Sequence, residues 1–268
     1  MSILIILLIA LAVLAIYLFM TCAQRMPDDG KWLKDYKYAH RGLHDPSRPE
    51  NTLAAFTAAM EKGYGIELDI HLSSDGELIV FHDNTLDRIT GMTGKVEDYS
   101  AAQLTQMAVC GTGHTIPTLK EVLAAVGGRV PLLIETKNEG GAGPLEVRLS
   151  ALMKDYDGHF AVQSFSPFSI GWFAKNDPGV LRGQLSSRFH EGAEHIAPIK
   201  RFVIRHMLTN FLAKPQFVSY ETDGISSSII RRMRRCGLYS LVWVVRSAKT
   251  QAATAKYVDT IIFEDYTP

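Results

Sequence analysis

Within the stretch Gly65 to Asp83, the run Ile66 to Leu72 alternates apolar and polar residues without a break. Ile66, Leu68, Ile70 and Leu72 fall on one parity, and Glu67, Asp69 and His71 on the other. A strand repeats every two residues, so the three polar groups share one face. A second β-rich run, Glu77 to Phe81, ends in His82-Asp83, and Ser73-Ser74-Asp75-Gly76 between the runs is turn chemistry. A joint of about four residues is too short for a crossover helix, so the two runs are predicted to pair antiparallel.

The same pattern organises the rest of the chain. Ile3 to Met20 is an uncharged apolar run of 18 residues, the length of a membrane span. Met1-Ser2 supplies no basic region for a signal peptide, so a retained single-pass anchor over 1–24 is expected. A polar linker over 25–35 follows, and then one domain over 36–268. Strands are predicted at Tyr36–Ala39, Ile66–Leu72, Pro131–Ile134, Phe160–Phe165, Leu181–Leu185, Phe217–Tyr220, Leu238–Val245 and Thr260–Phe263. Helices are predicted near Leu53–Glu61, Thr118–Val126, Pro144–Tyr156, Pro167–Lys175, Ile196–Ala213, Ser226–Cys236 and Ala248–Lys256, with a compact insertion over Leu86–Thr115. With Glu77–Phe81 set aside as an accessory strand, eight strands alternate with helices, the pattern of an α/β fold built as a (β/α)8 TIM barrel.

Composition narrows this picture modestly. The 268 residues are 47% hydrophobic, ample for one large core. The 28 basic and 28 acidic residues balance, which argues against a nucleic-acid partner. Cys22, Cys110 and Cys236 form no CxxC pair and read as free, buried thiols. Arg25, Lys31, Lys34 and Lys37 follow the apolar run and none precede it, which places the domain on the cytoplasmic side of a membrane.

The polar residues at strand ends carry the candidate chemistry. His40-Arg41, Glu67-x-Asp69 and Glu135-x-Lys137 lie at or near the C-terminal ends of predicted strands, the catalytic face of a barrel. Glu67, Asp69 and Glu135 form an oxygen set suited to one hard divalent cation, Mg²⁺ or Ca²⁺. The plainer reading of such carboxylates is solvation or pairing with Lys137. His40 and His82 titrate near neutrality and suit paired acid and base work. His44, His114, His159, His190, His195 and His206 read as structural or exposed, and His71 shares the carboxylate face without an assigned role. Arg41 can hold a phosphate through its guanidinium fork, and Lys137 supplies a second charge. The 196–213 helix reads as an amphipathic outer helix of the barrel, with an interfacial helix beside the anchor as the alternative.

These residues resemble a known family. His40-Arg41-Gly42, Pro49-Glu50-Asn51-Thr52, Glu67-Leu68-Asp69, Asp75-Gly76 and His82-Asp83 match the glycerophosphodiester phosphodiesterase pattern in order and spacing. Pro117-Thr118-Leu119, Glu135-x-Lys137, Gln163-Ser164-Phe165 and Trp243 continue it. The resemblance implies a metal-dependent hydrolase releasing glycerol 3-phosphate and an alcohol. It implies Glu67, Asp69 and Glu135 as metal ligands, His40 as base, His82 as acid, and Arg41, Lys137 and Trp243 as substrate contacts. It also implies attack of the glycerol 2-hydroxyl on phosphorus and opening of the cyclic phosphate by water. The chain departs from the pattern at Glu264-Asp265, where the family usually has Thr-Asp. The short insertion and the anchor raise a second reading, a lysophospholipase D acting on membrane lysophospholipids. A non-catalytic membrane-tethered barrel is the third.

Overall fold

The computed structural model of the chain describes residues 3–138, 141–189 and 196–268. The strands are β1 (Tyr38–Ala39), β2 (Gly65–Leu72), β3 (Leu78–Val80), β4 (Leu132–Thr136), β5 (Phe160–Ser164), β6 (Leu181–Ser186), β7 (Phe217–Glu221), β8 (Tyr239–Val245) and β9 (Thr260–Phe263). All but β3 are parallel. They run in the order β1-β9-β8-β7-β6-β5-β4-β2, and pairing of β1 with β2 closes the eight-stranded barrel. β3 pairs antiparallel with β2, Ile70 facing Val80 and Leu72 facing Leu78, as the turn chemistry predicts.

Closure gives each strand two buried faces. Ile66, Leu68, Ile70, Leu132, Ile134, Val162 and Val218 point outward into one continuous core beneath the helices. Tyr38, Leu133, Ala161, Leu181, Phe217, Leu241 and Ile262 fill the lower lumen as a second core. Polar residues of the strands occupy the upper lumen instead: Glu67, Asp69, Glu135, Gln163 and Ser219 are all buried. Apolar filling below and carboxylates above thus follow from the alternation along each strand.

The 25–35 segment does more than link. Its helical turns over Asp28–Asp35 bury Leu33 completely, and Met26 is 4% exposed in the same lower-lumen core. The Tyr38 hydroxyl donates to the Leu33 carbonyl at 3.1 Å. The apolar helix Ile3–Met20 has no buried residue. Its last turn and the residues after it touch the barrel foot. Phe19 meets Phe211 at 5.3 Å between ring centroids, the Met26 N–H donates to the Gly237 carbonyl, and the Arg232 guanidinium lies over the Tyr17 ring.

Several expectations need correction. The 196–213 helix is two pieces, Pro198–Arg205 and Asn210–Ala213, because Met207 takes a left-handed φ of 53° and breaks the spiral. Ile199, Phe202 and Leu212 are exposed there, whereas Met207 is buried. The three cysteines are free but exposed, each beside a helix end or in a tight turn. The insertion over Leu86–Thr115 is compact, as expected. It holds Asp87–Thr90, a turn at Val96–Asp98 and Ala101–Leu104 around a small core of its own, including Ile79, Phe81, Leu86 and Val109. His190 and His195 lie outside the described residues.

Candidate active site

The upper lumen gathers its carboxylates from neighbouring strands by register. Asp69 on β2 stands beside Glu135 on β4, and Glu135 beside Gln163 on β5. Glu67, Asp69 and Glu135 each offer a carboxylate oxygen within 4.8 Å of the others. Lys137, two residues beyond Glu135 and just past the end of β4, puts its Nζ 2.5 Å from Glu135 Oε1 and 2.9 Å from Asp69 Oδ1. The pairing with Lys137 is therefore real, and it coexists with the clustered carboxylates. Arg41 adds a second cation, its Nε 3.6 Å from Asp69 Oδ2 and its Nη1 2.7 Å from Glu50.

Burial and charge pull the carboxyls in opposite directions. Burial, reinforced by Asp69 and Glu135, pushes Glu67 well above the usual carboxylate range. Burial also pushes Glu135 up, against the attraction of Lys137. For Asp69 burial is outweighed by Lys137, His82 and Arg41, which hold its carboxyl well below the usual range. Three carboxyls thus face two fixed cations in a water-poor lumen. Asp69 Oδ1 is buried with no hydrogen bond and only the Lys137 ammonium as an ion pair. An all-oxygen set of this kind fits a hard divalent cation.

Short loops aim the remaining groups at the same mouth. Gly42, at φ +84°, follows β1, and a Cβ there would lie 2.9 Å from the Ala55 backbone. The turn it permits sets Arg41 at φ 55°, so that the Arg41 N–H donates to Glu67 Oε2 at 3.0 Å. His40 is nearly buried and donates from Nδ1 to Glu264. Burial lowers its pKa, more than Glu264 raises it. His82, carried over the mouth by β3, is 2.6 Å from Asp83 through its own Nδ1. Asp83 in turn takes two hydrogen bonds from Arg88, which also pairs with Glu50. Each histidine therefore has a carboxylate on Nδ1 and Nε2 left for other work.

Trp243 stands on β8 with its ring edge-on to Phe165, 5.8 Å away, and its buried indole N–H without a protein partner. Phe189 lies 6.2 Å from Phe165, extending this aromatic wall. The fold recruits further residues to the site: Asn51, by sequence a candidate helix cap, leaves capping to Thr52. Asn51 donates to Asp69 Oδ2 at 2.9 Å, and Gln163 bridges Glu67 and Ser219. The available signal is that Asn51 lies in the PENT stretch and Gln163 in the QSF stretch that carry the family resemblance, because neither contact is local in sequence.

The glycerophosphoryl diester phosphodiesterase family model matches residues 40–266. A glycerophosphodiester phosphodiesterase from Caldanaerobacter subterraneus is 36% identical over 164 residues, covering 57% of this chain and 67% of that protein. A Bacillus subtilis relative is 28% identical over 226 residues, 81% of this chain and 88% of its own. Among solved structures, a glycerophosphodiester phosphodiesterase from Thermotoga maritima has a TM-score of 0.66 at 25% identity, covering 85% of this chain and 94% of that one. An Oleispira antarctica phosphodiesterase, solved with its product sn-glycerol-3-phosphate, has a TM-score of 0.72 at 23% identity, covering 86% and 93%, a likeness of fold. From the end of the first barrel strand to beyond the last, the chain belongs to the glycerophosphoryl diester phosphodiesterase family.

Proposed function

We propose that the chain performs the family's reaction, hydrolysis of a glycerophosphodiester to glycerol 3-phosphate and an alcohol, through the residues gathered at the barrel mouth. One observation carries the assignment of roles. Three buried carboxyls from adjacent strands converge within 4.8 Å, and two carboxylate-backed histidines flank the same mouth. Glu67, Asp69 and Glu135 would hold a divalent cation, Mg²⁺ or Ca²⁺. Bound there, the cation supplies positive charge for the phosphoryl oxygens and lowers the pKa of a nearby hydroxyl.

The chain's own groups do the rest. Arg41 and Lys137 place fixed positive charge beside the phosphate. His40 Nε2 takes the proton of the glycerol 2-hydroxyl as that oxygen attacks phosphorus. His82, protonated at Nε2, gives a proton to the departing alkoxide, so the alcohol leaves neutral and a cyclic phosphate remains. The two histidines then exchange parts. The histidine that lost its proton takes one from water, the other returns one to the glycerol oxygen, and the cyclic ester opens to glycerol 3-phosphate. Trp243 gives a flat apolar wall and one free indole N–H to the substrate.

The test is release of glycerol 3-phosphate from glycerophosphocholine by the purified full-length protein, with and without EDTA. Activity should vanish with EDTA and return with Mg²⁺ or Ca²⁺. Added cation should raise the Tm of the wild type and leave that of Glu67→Ala unmoved. A cation-dependent Tm shift surviving in Glu67→Ala would remove the ligand assignment, and full turnover by His40→Ala would remove the base.

A further inference from the structure

Glu264 closes the mouth on the side of β9, at the place where the family pattern usually carries Thr. Its backbone N–H donates to the Val245 carbonyl at 3.1 Å, which fixes it between β8 and β1. The side chain is 12% exposed and its two oxygens have different partners. Oε2 accepts from His40 Nδ1 and lies 3.7 Å from His44 Nε2, whereas Oε1 pairs with the Arg246 guanidinium. Arg246 also reaches Asp265, at 3.5 Å. A guanidinium on the far side of the carboxylate favours the orientation in which Oε2 faces the imidazole.

We propose that Glu264, braced by Arg246, is a positioning residue that fixes His40 as the proton acceptor of the reaction. This rests on His40 being the base under the function proposed above. A carboxylate accepts only, so the proton of neutral His40 must sit on Nδ1 and the lone pair on Nε2. When Nε2 takes the hydroxyl proton, the new imidazolium charge lies against a carboxylate already in place. Nothing has to reorganise, and the Nδ1 proton stays where it was. The same division of labour holds in hydrolytic triads, where a buried carboxylate orients a histidine without itself gaining a proton. His82 has a carboxylate of its own in Asp83, so Glu264 acts on one histidine of the pair.

The experiment compares the full chain in detergent with Glu264→Gln, Glu264→Asp and Arg246→Ala. Glu264→Gln should lower kcat by about tenfold or more with KM within about twofold, since the amide keeps the shape and loses the charge. Glu264→Asp should recover part of the loss, and Arg246→Ala, a change at an exposed side chain, should lose several-fold in kcat. The cation-dependent rise in Tm should persist in all three, separating this role from the metal ligands. Spectra of ¹⁵N-histidine-labelled protein should show His40 protonated at Nδ1 in the wild type, with the downfield Nδ1 proton lost in Glu264→Gln. If that variant does not fold, the wild-type tautomer and Arg246→Ala decide. Wild-type kcat in Glu264→Gln, or in Arg246→Ala when Glu264→Gln is not recovered, or a His40 proton on Nε2, would overturn the proposal. Full turnover by His40→Ala would instead overturn the base assignment beneath it.

Discussion

His71 shows what a single residue does here. Its parity aims it at the carboxylate face, yet the fold uses it as a buried strut: its Nε2–H donates to the His82 carbonyl at 3.2 Å. Burial pulls its pKa down to about 4, so at neutral pH it is an uncharged donor. The contact ties β2 to the segment that carries His82 over the mouth. His71→Leu should leave that carbonyl without this donor and cost about 1–3 kcal/mol in urea unfolding, with a fall in kcat. His71→Gln, which keeps a donor, should recover part of both. Equal stability of the leucine variant would mean that the strut carries nothing. The sequence shows the face of His71 because strand parity is local. It cannot show the partner, a backbone carbonyl eleven residues away across a turn. The same holds for Glu264, whose partner His40 is 224 positions distant. What periodicity does reveal is which residues enter the lumen, since Glu67 and Asp69 lie opposite in parity to Ile66 and Leu68.

At the scale of elements, the strands are more legible than the connections. β4 to β9 lie within a residue or two of their predicted bounds because each is short, bounded by turn or helix signals and largely buried on closure. The helix Leu119–Val126 starts and stops where its chemistry says. Thr118 accepts from the Glu121 N–H, Glu121 reaches back to Thr118, and Gly127 ends it at φ 54°. The 25–35 segment carries a weaker signal. Asp28, Asp29, Lys31 and Lys34 give it a linker's composition, and Met26, Trp32 and Leu33 are too few to form a periodic face. Only the closed lumen supplies the partners for Leu33. Leu33→Ala should therefore destabilise the domain by about 2–5 kcal/mol, as for other fully buried leucines, whereas Ile199→Ala on the exposed helix should change little. Chemical unfolding of the two variants separates a plug from a tether: if both leave stability unchanged, the segment is only a linker.

The whole molecule sets the apolar helix and the candidate active site at opposite ends. The apolar helix Ile3–Met20 passes through Met26 and Leu33 into the foot of the barrel, while the carboxyls and histidines lie at the C-terminal strand ends. β2 spans eight residues. At roughly 3.3 Å per residue and a tilt near 36°, foot and mouth are separated by roughly 20 Å. If the helix spans a bilayer, the mouth therefore opens away from it. A lysolipid that keeps its acyl chain among its neighbours cannot bring its phosphate so far, because leaving the membrane exposes about 0.8 kcal/mol of apolar surface for each CH₂. A water-soluble glycerophosphodiester faces no such cost. The full chain reconstituted in vesicles should release choline from dissolved glycerophosphocholine and at least tenfold more slowly, if at all, from lysophosphatidylcholine held in the same bilayer. Dispersing that lysolipid in detergent should narrow the gap, because the barrier lies in reaching the mouth rather than in the chemistry. Comparable turnover of the bilayer-held lysolipid would show that the barrel lies over on the membrane and would restore the lysophospholipase D reading.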